Sequence, residues 1–228
     1  MREGLPVAIG RLLFDPPSAL CHNVLAPMQQ VPRLEDLIRE YTTRRAELDA
    51  HGVYFLRDIT DEQAEAFSKA ILIMSATRSG RPDLPITVFV NSGGGSVGAG
   101  LAVIEMINRM RRQFGVVINT AVTGYAYSMG AIVVQAGDQR TMGKLSTMML
   151  HAGTWILTGD AEKIFQDYHK LATHYEEVVS DLFARRTKKH DAAWWKEFVY
   201  SGRERFLSAA ECLELGLVDE VIDLPLPA

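Results

Sequence analysis

The segment ITVFVNSGGGSVGAGLAVIEMINRM, Ile86 to Met110, constrains the fold more than any other stretch of the chain. Ile86 to Val90 are all β-branched or aromatic and read as a buried strand. The glycines Gly93 to Gly95 follow and let the backbone turn sharply, and a helical pattern begins at Val97. The same order recurs downstream. GVVINTAV, Gly115 to Val122, reads as a second buried strand; GYAYSMGA, Gly124 to Ala131, follows it, and a helix starts at Met129. Strands alternating with helices predict an α/β chain with a largely parallel sheet. Both glycine-bearing turns then lie at the carboxyl ends of strands, where such sheets bind their ligands.

The remaining segments keep the alternation. GVYFL, Gly52 to Leu56, is expected as a strand, and Thr60 with Gln63 is a capping box opening the next helix. KLSTMMLH, Lys144 to His151, is expected as a strand. From Asp160 to Arg186 the apolar residues Ile164, Phe165, Tyr168, Leu171, Ala172, Tyr175, Val178, Val179, Leu182 and Phe183 advance by threes and fours, which predicts one long amphipathic helix. Two further helices follow, the last capped by Ser208 with Glu211, and LVDEVI closes the chain as a strand. Trp194 and Trp195 diverge by about 100° on a helix, so one is expected in the core and the other at a rim. Leu34 to Leu48 has a helical stripe, while residues 1–32 are Pro-rich and without period. Residues 1–50 are therefore read as an arm and helix of uncertain role, and 51–228 as the main domain.

Composition excludes several functions. The net charge is −4, against the basic surplus that nucleic-acid binding needs. The local clusters RMRR and RRTKK sit at helix ends, where cations complement the dipole. No apolar run reaches the roughly 20 residues of a membrane span, and the N-terminus lacks a signal-peptide core. Cys21 and Cys212 lie far apart with no zinc spacing. The expectation is a cytoplasmic protein with two free thiols, no metal and no cofactor.

Three constellations could carry chemistry. NSGGGSV, Asn91 to Val97, is neither a Walker loop nor a dinucleotide fingerprint. It is either a tight strand-to-helix turn or a backbone cradle for an oxyanion. In GYAYSMGA, Ser128 stands at the first turn of a helix. It is either an N-cap or a nucleophile whose alkoxide the dipole favours, with the Met129 N–H aimed at a substrate oxygen. The segment is not the GxSxG elbow of α/β-hydrolases. His151 ends a strand, so it can meet both turns at one sheet edge and take a proton from a serine at neutral pH. A third group would then fix its tautomer. Tyr125 and Tyr127 flank Ser128 and either shape a subsite or pack.

NSGGGSVGAG, GYAYSMGA, STMMLHAG and RERFLSAAECLELGLVDEV, in this order, resemble the proteolytic subunit of the Clp protease, the ClpP family of self-compartmentalising serine proteases with a crotonase-like fold. The resemblance spans about Gly52 to Ile222. It implies a fold of repeated strand-turn-helix units with a protruding handle helix, the long helix after His151, by which rings interlock. It implies Ser128 as nucleophile, His151 as general base, and the N–H groups of Gly95 and Met129 as the oxyanion hole. It also implies polypeptide substrate, self-association into heptameric or double rings around a chamber, and feeding by an AAA+ unfoldase.

The chain departs from the family pattern in three places. Gly93 stands where the family usually has Pro. Glu204 stands where the family usually has the triad Asp, so the acid is expected on a stem one methylene longer; as a surface residue it would instead pair with Arg203 or Arg205. Asp191 is the nearest other acid. Residues 1–50 lack the short gating segment the family would show. The leading reading is a serine endopeptidase using Ser128, His151 and Glu204. The alternative is a catalytically silent ClpP-like structural subunit of a mixed ring. An acyl-CoA hydratase or isomerase would want a carboxylate beside the glycine turns, and neither turn offers one. A Ser–Lys peptidase would need Lys144, which lies at the far end of its strand.

Overall fold

The computed structural model describes residues 43–44, 46–153 and 161–223, with the side chains of 161–167 left aside. The arm, most of the Leu34–Leu48 stripe, Cys21, and the expected apolar contacts of Ile164 and Phe165 lie outside the described residues. Contacts divide the chain at residue 40, and every described residue falls in the unit Tyr41–Ala228.

Among the described residues seven strands form one sheet: β1 (Val53–Ile59), β2 (Ile86–Gly95), β3 (Ile118–Tyr127), β4 (Arg140–Gly143), β5 (Thr147–Leu150), β6 (Arg205–Ser208) and β7 (Glu220–Ile222). Their main order is β1-β2-β3-β4-β7, all parallel. Between them come helices α1 (Asp61–Thr77), α2 (Val97–Phe114), α3 (Met129–Val134), α4 (Ala161–Thr187), α5 (Ala192–Tyr200) and α6 (Ala209–Glu214). The class is α/β with a mostly parallel sheet, as the alternation of strands and helices predicts.

The sheet divides along β3. Its first half pairs with β4, Thr120 to Val122 against Arg140 to Met142. Its second half pairs with β5, Tyr125 to Tyr127 against Thr147 to Met149. Ser146 holds the fork: its Oγ donates to the Val122 carbonyl at 3.3 Å and accepts the Gly124 N–H at 2.9 Å. Two backbone groups left between the branches are thereby satisfied.

Both glycine-bearing segments are strand rather than turn, so β2 and β3 run five residues beyond the expected ends at Val90 and Val122. β1 likewise extends to Ile59 instead of stopping at Leu56. A register shift between Leu56 and Asp58 on β1, and another between Val90 and Ser92 on β2, let pairing resume beyond a bulge. Glycine permits this: Gly95 has φ +145, a conformation that L side chains rarely adopt, and a Cβ there would lie 2.2 Å from the Ile59 carbonyl oxygen.

Lys144 to Ser146 are a turn rather than strand, and β4 and β6 escape the sequence reading. Each has four residues and a weak pattern of its own; pairing with neighbours makes it a strand. The Arg140 side chain is 4% exposed and steadies this edge, donating to both Asp219 oxygens and to Gln135 Oε1.

The core lies between sheet and helices. Phe67, Ile71 and Met74 of α1, Val103 and Ile107 of α2, and Val88, Val90 and Ile118 of the sheet are all buried. Under α4, Phe183 stacks on Trp195 with ring centroids 4.9 Å apart, while Trp194 sits at the rim between His190 and Phe198. The capping box of Ser208 with Glu211 is complete; at Thr60 the side chain accepts the Gln63 N–H.

Candidate active site

Ser128 follows the last residue of β3 and precedes α3. Its backbone has φ 52 and ψ −124, a left-handed conformation that costs a serine about 1–3 kcal/mol. Surrounding bonds hold it there. The Ser128 N–H donates to the Met149 carbonyl at 2.8 Å, and its own carbonyl accepts the Ala131 N–H at 3.0 Å. The side chain makes no capping bond to α3, so an N-cap role does not explain the residue. Its Oγ instead lies 2.8 Å from Nε2 of His151.

His151 comes directly after β5, half-buried. β5 pairs with the second half of β3, so the fork in the sheet is what carries the imidazole to the serine. Tyr127 and Thr147 lock the same pair of strands with a 2.8 Å hydroxyl bond. Tyr125 and Tyr127 pack on each other, and Tyr127 meets Phe206 edge-on. Both tyrosines therefore pack along the sheet.

Gly94 explains how close the two glycine-bearing strands come. A Cβ at Gly94 would lie 2.7 Å from Ser128 Cβ and 3.2 Å from the Met129 amide nitrogen. The end of β2, which carries Gly95, thus abuts the turn at Ser128. Gly95 is exposed, while the Met129 side chain is buried and its amide opens α3, where first-turn N–H groups have no acceptor within the helix.

Glu204 sits differently. It is exposed and immediately precedes β6, the strand antiparallel to β5. The last pair of that ladder is Leu150 with Arg205, so Glu204 stands one step beyond it, across from His151. Among the described residues no hydrogen bond joins the Glu204 carboxylate to His151, and no ion pair joins it to Arg203 or Arg205. Arg205 donates to the Phe198 carbonyl and to Ser201 Oγ, each at 3.3 Å, with its guanidinium 4.9 Å from the centre of the Phe198 ring. The other residues weighed from sequence serve elsewhere. Asp191 caps α5 by accepting the Trp194 N–H at 2.8 Å, and Lys144 pairs with Asp223 at 2.6 Å.

Beside Ser128 and His151 opens a cleft of about 150 Å³, walled by Val97, Ile132, Val179 and Tyr175. Two more residues in its lining are polar and escape the sequence reading: Glu176 of α4 and Tyr200 of α5. The signal was present. Ala172, Tyr175, Glu176 and Val179 fall at i, i+3, i+4 and i+7, so Glu176 is a carboxylate inside an apolar stripe. Burial first, and then the charge of Glu176, push the Tyr200 phenol above its usual range.

No helix among the described residues is long and apolar enough to cross a membrane. A family model described as Clp protease matches residues 36–225, which takes in every strand, both glycine-bearing segments, Ser128, His151 and Glu204. The chain belongs to the Clp protease family.

Proposed function

We propose that the protein is a serine endopeptidase that hydrolyses unfolded polypeptide through Ser128 and His151. The observation that carries this reading is the 2.8 Å contact between Ser128 Oγ and His151 Nε2, with the serine held at φ 52 and its side chain making no capping bond. Ser128 Oγ forms a bond to the peptide carbonyl carbon as its proton passes to His151 Nε2. The carbonyl oxygen becomes an oxyanion that accepts from the N–H groups of Gly95 and Met129, a stabilisation worth about 10²–10³ in rate per donor. His151 then gives its proton to the leaving amine, the C–N bond breaks, and water deacylates the serine by the same route. Glu204 is the third member, standing across the end of the β5–β6 ladder from His151 without a hydrogen bond to it in this structure.

Residues 51–228 carry this activity, in the cytoplasm, within a ring or double ring of subunits whose chamber encloses the sites. The family match and the long α4 support assembly, and an AAA+ unfoldase as feeder belongs to the same reading. The exposed position of Glu204 favours one rival, a silent structural subunit of a mixed ring. Peptide hydrolysis by the assembled oligomer separates them. The endopeptidase cleaves fluorogenic peptides, and Ser128→Ala lowers the rate by about 10⁶-fold. A silent subunit gives no turnover above that variant.

A further inference from the structure

We infer that Glu176 makes the cleft beside Ser128 selective for a substrate residue with a cationic side chain at the position whose carbonyl is attacked. The inference rests on the peptidase reading of Ser128 and His151. The residue acylating Ser128 has its side chain next to that oxygen, and the cleft lined by Ser128, Met129 and His151 is the space there. At about 150 Å³ it has room for one side chain. Val97, Ile132 and Val179 offer apolar wall to an aliphatic stem, and Glu176 with Tyr200 places a carboxylate and a phenol in the same lining. Lysine and arginine have this form, a methylene stem carrying a charged head. An aliphatic residue of similar length would fill the walls but desolvate the carboxylate while offering it no partner beyond the long contact to Lys196 of α5.

Two other nitrogen-bearing side chains lie near Glu176. His151 lines the same cleft, and its Nε2 is engaged with Ser128 Oγ. Lys196 of α5 stands 3.4 Å from Glu176 Oε2, but it is not part of the cleft lining, and the two side chains are 43% and 33% exposed. An ion pair that long and that wet is worth little, so an incoming ammonium or guanidinium competes with it. The Tyr200 phenol in the same lining is raised first by burial and second by the charge of Glu176.

The test compares kcat/KM of the full-chain oligomer on matched fluorogenic peptides ending in Lys, Leu or Glu before the scissile bond, in wild type and Glu176→Gln. Fluorophosphonate labelling of Ser128 is measured on the same samples. The expected result is preference for Lys in wild type, with the Lys-to-Leu ratio falling about 10-fold in Glu176→Gln while labelling is unchanged. Labelling with a ratio that the substitution does not move would overturn the inference and leave the peptidase reading intact. Loss of both substrates together, with labelling also reduced, would overturn it too, assigning Glu176 to support of His151 or of the fold. Absence of labelling in wild type would remove the peptidase reading and this inference with it.

Discussion

Ser128 and Glu204 both flank strands that meet His151, yet they are held by different means. Ser128 is enclosed by backbone. Its N–H is tied to Met149, its carbonyl to α3, and Gly94 presses against it so closely that a Cβ would lie 2.7 Å away. Glu204 stands on an exposed stretch between α5 and β6, beyond the last rung of a four-residue ladder. The nearby polar anchor is Arg205, which reaches back to Phe198 and Ser201. The geometry of Ser128 is written into the sheet itself, whereas that of Glu204 depends on a short peripheral segment. A group held by main-chain sterics keeps its place in any state that keeps the fold. A group held by one side chain can be moved by a neighbour.

Substitutions on the two sides sharpen this contrast. Gly94→Ala has the largest expected effect of the three. The new Cβ meets Ser128 Cβ, the Tyr127 carbonyl and the Met129 amide, and φ +100 at this position is strained for alanine. Activity should fall by about 10²-fold, as for other misplacements near 1 Å, and stability by about 1–3 kcal/mol. Thermal melting together with peptide turnover reads both, and a silent Gly94→Ala would mean the strands have room to part.

Glu204→Gln comes next. With no hydrogen bond from this carboxylate to His151 among the described residues, its loss should cost roughly 10-fold in kcat/KM, the scale of one modest hydrogen bond. A loss near 10⁴-fold would show instead that the carboxylate closes fully on the imidazole during turnover. Arg205→Met should give a smaller loss than Glu204→Gln, without lowering fluorophosphonate labelling of Ser128. An equal loss of labelling would erase the distinction between the two sides.

The legibility of the chain in its sequence follows the same division. The strand segments Ile86–Val90 and Ile118–Val122 were readable because they are predominantly apolar or β-branched, although β3 begins at Ile118 and not at the expected Gly115, which is the left-handed cap of α2. Ser128 and His151 were readable because each follows a strand at the edge where the glycine segments gather. The strand lengths were not. Glycine runs look like turns, and only the partner strand reveals that Gly94 and Gly95 continue a ladder past a bulge. β6 was illegible for a related reason, since RFLS has no pattern without β5 beside it. Glu176 was overlooked because a search for apolar spacing passes over a carboxylate that shares the stripe, and only the fold shows that it lines the cleft beside Ser128.

In the proposed function Ser128 is a nucleophile prepared by the fold. That role is tested most directly by intact mass after incubation of the assembled oligomer with a fluorophosphonate, beside Ser128→Ala. One adduct per chain is expected in wild type and none in the variant. An unlabelled wild-type oligomer, or an adduct that persists in Ser128→Ala, would contradict it.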